Sequence, residues 1–369
     1  MASPMQVQEL VDHCLIFLDS PNLRACALVT RAWAANAQAH LFRRVSFRMP
    51  TAMTNEQRWY HLHSAPHLMR HVQYLEVVSE SLPPAVFDAI CRSPLLRPQH
   101  ASIDLGGRAL ASLAATALQE FVSQPTLRRL KFRCNFADPA LFLLIWARCS
   151  PAIRHLDLAA TDLVAQASGT PALPLEPIPP HAKRTRLTTL AITASSHGVN
   201  DWLFHELSPF DCTSLKALSI LGHPQLTGWV DTSFPPTIRN IEIFDFVAWG
   251  VPPVITLSAF PRLRILRLHL RGFPYALPVL ATLSSSSAIQ KIVLTLHYPL
   301  DDSLQDVDRR MCELPIDPLP VVELEIALDG RWWRSAKKRF FPLLDANSRI
   351  QGVDPPTDWL SDCIASLGG

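Results

Sequence analysis

His61, His63, His67 and His71 crowd one short stretch, and His67 and His71 stand one helical turn apart, a spacing that can bring two imidazoles to one metal ion. Pro66 interrupts the set and no glutamate completes an H-E-x-x-H pattern, so exposed loop and helix histidines are expected and no metal site. The eight cysteines lack the close pairing that zinc or redox chemistry requires. Most lie in apolar runs, as reduced core thiols do. None of the 12 glycines falls in a G-x-G-x-x-G or G-x-x-x-x-G-K loop, and no G-x-S-x-G elbow occurs. No catalytic residue and no cofactor are therefore expected, and the chain reads as a non-enzyme.

Charge and hydropathy narrow the classes further. The 34 Lys and Arg nearly cancel the 32 Asp and Glu, which removes the field a dedicated nucleic-acid binder uses to attract phosphates. Hydrophobic residues make up 48% of the chain, enough to offset chain entropy on folding. No uninterrupted apolar stretch approaches the roughly 20 residues that cross a bilayer, and Met1 to Leu10 carries no basic-then-apolar leader. A cytoplasmic or nuclear protein without membrane or nucleic-acid partners is the expectation. Ser284 to Ser287 reads as a loop open to phosphorylation, and Lys337-Lys338-Arg339, beside Trp332 and Phe340, as the wet side of a closing helix.

What remains is binding, and a repeat organises it. The pattern apolar-x-x-apolar-x-apolar recurs as Val72/Leu75/Val77, Leu127/Leu130/Phe132, Ile153/Leu156/Leu158, Leu187/Leu190/Ile192 and Leu215/Leu218/Ile220. It continues as Ile238/Ile241/Ile243, Leu263/Leu266/Leu268, Ile289/Ile292/Leu294 and Val321/Leu324/Ile326, with a weaker copy at His100/Ile103/Leu105. The last two positions of each copy alternate along a strand and point inward, and stacking the next copy buries that face in a parallel ladder. Between copies, Leu110 to Gln124 and Pro139 to Cys149 carry helical spacing and stop at Pro125 and Pro151. A proline-rich stretch over residues 165–186 lengthens one repeat and reads as an irregular or polyproline loop. Residues flanking the inward pairs then face out on the concave side: Arg129, Lys131 and Arg133, then His155 and Asp157, then Glu242 and Phe244, a gradient from basic to acidic that ends at Glu323 and Glu325. These are the candidate substrate-binding residues.

Over roughly residues 72 to 326 the repeat resembles that of leucine-rich repeat proteins. Asn135 occupies the turn position where that family usually carries Asn or Cys, while Thr161, Ser195, His223, Phe246 and Arg271 replace it elsewhere, which implies an irregular, flattened arc.

From Glu9 to Phe47 the period changes to that of helices. Leu10, Val11, Cys14, Leu15 and Leu18 form one stripe, Ser20 can cap a second helix with Pro21 at its first position, and Leu23, Cys26, Ala27, Val29 and Trp33 continue the apolar face. Ala34 to Phe42 forms a third helix before a strand-like Val45-Ser46-Phe47. About 40 residues bury too little surface to stand alone.

Glu9 to Leu18, Leu23-Arg-Ala-Cys-Ala-Leu-Val-Thr-Arg-Ala-Trp33 and His40-Leu-Phe-Arg-Arg-Val45 resemble an F-box of the kind found in the large fungal families of F-box-like proteins, with Val7-Gln8 where the family opens on Leu-Pro. The resemblance implies docking onto the Skp-type adaptor of a cullin-RING ubiquitin ligase through Leu10, Leu15, Leu18, Leu23, Val29 and Trp33, or use of these residues in the module's own core. The expected protein is α/β. A three-helix F-box-like module over 5–47 precedes an irregular leucine-rich-repeat solenoid with parallel strands over 48–328 and a C-terminal cap over 329–369. Its function would be substrate recognition for the ligase; the alternative is a non-ligase scaffold or regulatory binding protein whose F-box remnant caps the solenoid.

Overall fold

Short helices open the chain because an apolar stripe there finds partners at helical spacing. The computed structural model describes residues 11, 13–29, 31–48, 52–78, 80, 82–106, 112–135, 139–161, 184–194, 203–204, 208–222, 238–248, 255–270, 276–283, 288–296, 303–313, 320–325, 339–347 and 349–353. Val7, Gln8, Leu10, residues 165–183, residues 284–287, Ile326, Trp332, Lys337 and Lys338 lie outside the described residues. The chain divides into two units, Met1–Asn135 with Ala140–Ile153, and Phe136–Pro139 with Arg154–Gly369.

In the first unit, helical residues 11 and 13–15 precede α1 (Ser20–Cys26) and α2 (Arg31–Leu41). Val11, Leu15, Leu23 and Ala37 form the buried centre of this module, with Leu18, Cys26, Ala27, Trp33 and Leu41 packed around it. The cap of α1 is Asp19 and not Ser20: its Oδ1 accepts from the Asn22 amide at 3.0 Å. A carboxylate there also meets the positive end of the helix, which explains the shift by one residue.

After α2 the chain enters β1 (Arg44–Phe47), then α3 (Ala52–His63), α4 (Pro66–Met69), β2 (Tyr74–Val78), α5 (Pro84–Cys91), β3 (His100–Asp104), α6 (Ser112–Val122), β4 (Arg129–Asn135) and α7 (Pro139–Trp146). The strands pair in parallel, each with the next in the chain, from β1 to β4. Parallel neighbours require a crossover, and the helices between them supply it. Two of these, α6 and α7, fall in the stretches expected to be helical. Leu118, Phe121 and Val122 of α6 and Phe142, Ile145 and Trp146 of α7 are buried, and the Trp146 ring meets Phe132 of β4 edge-on at 5.5 Å. Val45-Ser46-Phe47, strand-like in sequence at the end of the helical module, is hydrogen-bonded as a strand of the sheet.

The second unit repeats the parallel scheme. Strands β5 (His155–Thr161), β7 (Thr189–Ala194), β9 (Ala217–Gly222), β10 (Ile243–Ala248), β11 (Ile265–Leu270), β12 (Lys291–Leu296), β13 (Val321–Glu325) and β14 (Ile350–Val353) pair in that order, all parallel. The short strands β6 (Thr185–Arg186) and β8 (Phe210–Asp211) pair separately. Helices α8 (Ala276–Leu280), α9 (Ser303–Cys312) and α10 (Pro342–Ala346) fall among the later strands. Both oxygens of the buried Asp308 on α9 accept the amides of Leu343 and Leu344 at 2.8 and 3.0 Å, satisfying donors that open α10.

One backbone device recurs where strands begin. The carbonyl of Arg43 accepts the amides of Gln73 and Tyr74, that of Gln73 those of Gln99 and His100, and that of Gln99 those of Arg128 and Arg129. In the second unit, Arg154, Thr188, Lys216, Glu242 and Arg264 serve in turn as the accepting residue. This ladder fixes the register, and it corrects three copies of the repeat. In β10 the residues level with Leu218/Ile220 and Leu266/Leu268 are Phe244 and Phe246, not Ile241 and Ile243. In β3 the inward pair is Ala101/Ile103, and in β13 the positions level with Ile292 and Leu294 are 322 and 324. In β3 and β13 the slip is two residues, because consecutive alternate positions are all apolar; in β10 it is three, because Ile238, Ile241, Ile243, Phe244 and Phe246 match the spacing at two offsets.

Candidate partner-binding surfaces

Apolar residues of the module divide into those its own core absorbs and those it does not. Leu15 and Leu23 are buried and Leu18 and Trp33 half-buried against them, so these four expected docking positions serve the module's interior; Leu10 lies outside the described residues. Val29 is exposed, as are Ile16, Phe17 (77%) and Leu28 (88%). All four stand in turns that close a helix: Phe17 N donates to Cys14 O, Leu28 N to Ala25 O and Val29 N to Cys26 O. Ile16, Phe17 and Leu28 were missed by the stripe argument, although an apolar residue beside a stripe but off it is a usable signal, since the helix has no interior to offer it.

Along β1 to β4 side chains alternate strictly. Val45/Phe47, Leu75/Val77, Ala101/Ile103 and Leu130/Phe132 point into the core, and the residues between them face away from it. The leading row of that outer face reads Arg44, Tyr74, His100, Arg129 across four paired strands. The guanidinium of Arg44 sits 5.4 Å from the centre of the Tyr74 ring and that of Arg43 5.9 Å, while Tyr74 meets His100 edge-on at 4.4 Å. Burial, and then the positive charges of Arg129, Arg43 and Arg128, hold His100 below the ordinary imidazole value. Its Nδ1 is buried without a hydrogen-bond partner among the described residues. Further along, Glu76 accepts from Ser46 Oγ at 2.8 Å and lies 3.5 Å from Arg48, and Asp104 lies 3.8 Å from Arg133. Of the expected surface, Lys131 and Arg133 are exposed and Arg129 is half-buried, all three facing outward.

The outer face of the second unit differs. Ser219, Asp245, Arg267, Val293 and Glu323 form one row across β9 to β13 and are all buried. Asp245, 3% exposed, accepts from Ser219 Oγ at 2.9 Å and lies 2.9 Å from His269 Nε2. Glu323 pairs with Lys291, and Ile243 packs beside Ala217 and Ile265. Expected positions fare unevenly here. Phe244 is fully buried, 5.5 Å from Phe260 and stacked on Phe246, so it is a core residue and not a partner contact; the slipped register had turned it outward. Glu242 is half-buried between Lys216 at 3.5 Å and Arg264 at 3.8 Å. His155 Nδ1 lies 2.8 Å from Thr189 Oγ1, and Asp157, one alternate position on, is half-buried.

The histidine cluster is dispersed. His61 and His63 close α3, His67 lies on α4 and His71 beyond its end. Among the described residues no group of three His, Cys, Asp or Glu side chains could hold a metal ion, and no helix is long and apolar enough to cross a membrane. No protein-family model matches the chain, and no curated protein matches it significantly.

Proposed function

We propose that this chain is a substrate-recognition subunit of a Skp-cullin-F-box type ubiquitin ligase, with the N-terminal helices as its F-box and the stacked strands as an irregular leucine-rich-repeat solenoid that holds a protein substrate. The supporting observation is the pair of apolar turns, Ile16-Phe17 and Leu28-Val29, left in water by a module that already fills its own core. Burying large side chains of this kind is worth roughly 2 kcal/mol each, so four of them left in water on so small a module offer a driving force to a protein that covers them. Parallel strands that pair in chain order, joined by helices or irregular returns, are what a leucine-rich repeat array requires. No catalytic group of its own is needed in such a receptor.

The competing reading, a non-ligase binding protein whose helices only cap the repeats, draws on the short connection from α2 to β1, which is Phe42 and Arg43 alone. Co-expression with a Skp-type adaptor separates the two. The wild-type chain is expected to co-purify with the adaptor, and Phe17→Asp combined with Leu28→Asp is expected to abolish association while leaving thermal unfolding unchanged. Failure of the wild type to associate, or full association of the double variant, would overturn the ligase reading. Leu18 or Trp33 would be poor choices for this test, since both pack on the module's core and their loss would unfold it.

A further inference from the structure

The outer face of β1 to β4 concentrates cations where the strands begin. Arg43, Arg44 and Arg128 are exposed, Arg129 is half-buried in the same row, and Tyr74 and His100 lie between them. We infer that this leading row is a docking site for an extended, carboxylate-rich segment of a protein partner, with Arg43, Arg44, Arg128 and Arg129 receiving the carboxylates and Tyr74 and His100 forming the floor. The inference rests on the reading above that the strand face holds the substrate, and it names the substrate's chemistry.

Geometry favours a row of carboxylates over one concentrated anion. Neighbouring strands lie about 4.8 Å apart, so the cations from β1 to β4 are spread over roughly 14 Å, the length of four or five residues of extended peptide. The strand positions they leave from are thus spread out along the row, a better match to successive carboxylates than to a single phosphate. Two positions further along the strands stands Glu76, and four positions along stands Asp104, both on the same face. These carboxylates repel a wide polyanion such as a nucleic acid and confine an acidic ligand to the leading row. Guanidinium groups stacked near the Tyr74 ring are also held in place, which lowers the entropy lost when they receive a carboxylate.

His100 supplies a signature that mere surface charge would not. The groups facing it are Tyr74 on β2, Arg129 on β4, Arg128 ahead of β4 and Arg43 ahead of β1, with Arg44 beyond Tyr74. In the free protein its burial, and then the guanidinium charges, oppose its protonation. Carboxylates laid along the row would cancel that charge opposition and, on this proposal, the gain outweighs the burial a ligand adds, so that ligand binding and proton uptake at His100 favour each other.

The test uses the full chain without adaptor and fluorescence anisotropy of a labelled octapeptide of alternating Glu and Ser. Controls are the matching Lys peptide, a Ser peptide with one central phosphoserine, and a single-stranded oligoribonucleotide. The Glu peptide is expected to bind most tightly and to tighten between pH 7.5 and 5.5. Arg44→Glu with Arg128→Glu should weaken it by about tenfold or more at unchanged unfolding temperature. His100→Gln should bind but lose the pH dependence. Equal binding of the Lys peptide, tighter binding of the phosphoserine peptide or of RNA, or no effect of the double arginine variant would overturn the inference. Because the adaptor is absent, a failed co-purification leaves this result standing, and an unbound peptide leaves the adaptor experiment unaffected.

Discussion

In the first unit the outer positions of the strands are cations and rings within reach of solvent, such as Arg44, Tyr74, Lys131 and Arg133, whereas in the second unit the row Ser219, Asp245, Arg267, Val293, Glu323 is buried. Strand geometry is the same in both, with parallel neighbours and inward apolar pairs at matching register. Hydration separates them. A polar side chain removed from water has to find its partners within the chain: Asp245 accepts a hydrogen bond from Ser219 through Oδ2 and lies beside His269 with Oδ1, and Glu323 pairs with Lys291. Groups buried in this way are out of reach of a ligand. The proposed recognition accordingly draws on the first unit's face and on the apolar turns of its helices, where side chains remain within reach of solvent.

The contrast can be broken most decisively at Phe244, which the sequence-derived register placed among the ligand contacts and the structure places in the core. Phe244→Ala is expected to lower unfolding free energy by about 3–5 kcal/mol in urea titration, since it empties a site shared with Phe246 and Phe260. A loss below about 1 kcal/mol would restore the register read from Ile241 and Ile243. A smaller effect sharpens the outer faces themselves. Asp245→Ala strips Ser219 and His269 of a buried acceptor and should cost about 2–4 kcal/mol. Glu76→Ala removes only a partly exposed partner of Ser46 and Arg48, and should stay within about 1 kcal/mol. Equal losses at the two carboxylates would mean that both faces are hydrated alike.

Much of this architecture was legible in the residues. Spacing alone marked where Leu130/Phe132, Leu156/Leu158 and Leu266/Leu268 turn inward, and helical periodicity found α6 and α7. What could not be read was offset. Ile238, Ile241, Ile243, Phe244 and Phe246 satisfy the repeat at two registers, and only the carbonyl ladder, which is a property of the backbone, chooses between them. The same ambiguity hid the leading row: with His100 taken as a core position, its alignment with Arg44, Tyr74 and Arg129 was invisible. β14 was also missed, because Ile350–Val353 is short and carries too little alternation to distinguish it from a tail. At the module, helical periodicity identifies the residues that a core will use, such as Leu15 and Leu23. It is silent about apolar residues in turns, so the candidate docking contacts at Phe17 and Leu28 needed the structure.

The mildest expected effect concerns pH and isolates the first unit's face without any ligand. Because the native surroundings of His100 disfavour its charged form, the folded chain binds fewer protons there than the unfolded chain does, whose imidazole titrates near 6.5. Stability then rises with pH across that window: the contribution is fully present above about 6.5 and is lost as the pH falls toward the lowered native value. His71 acts in the same direction, through its burial and the charges of Arg70 and His67, so the unaltered chain shows the sum of both. Thermal unfolding of the wild type should accordingly begin to fall below pH 6.5, and His100→Gln should flatten part of that slope while leaving the unfolding temperature at pH 8 nearly unchanged. An identical slope in the variant would show that His100 stays as well hydrated in the fold as in the unfolded chain, and its partial burial between Tyr74 and Arg129 would have to be abandoned.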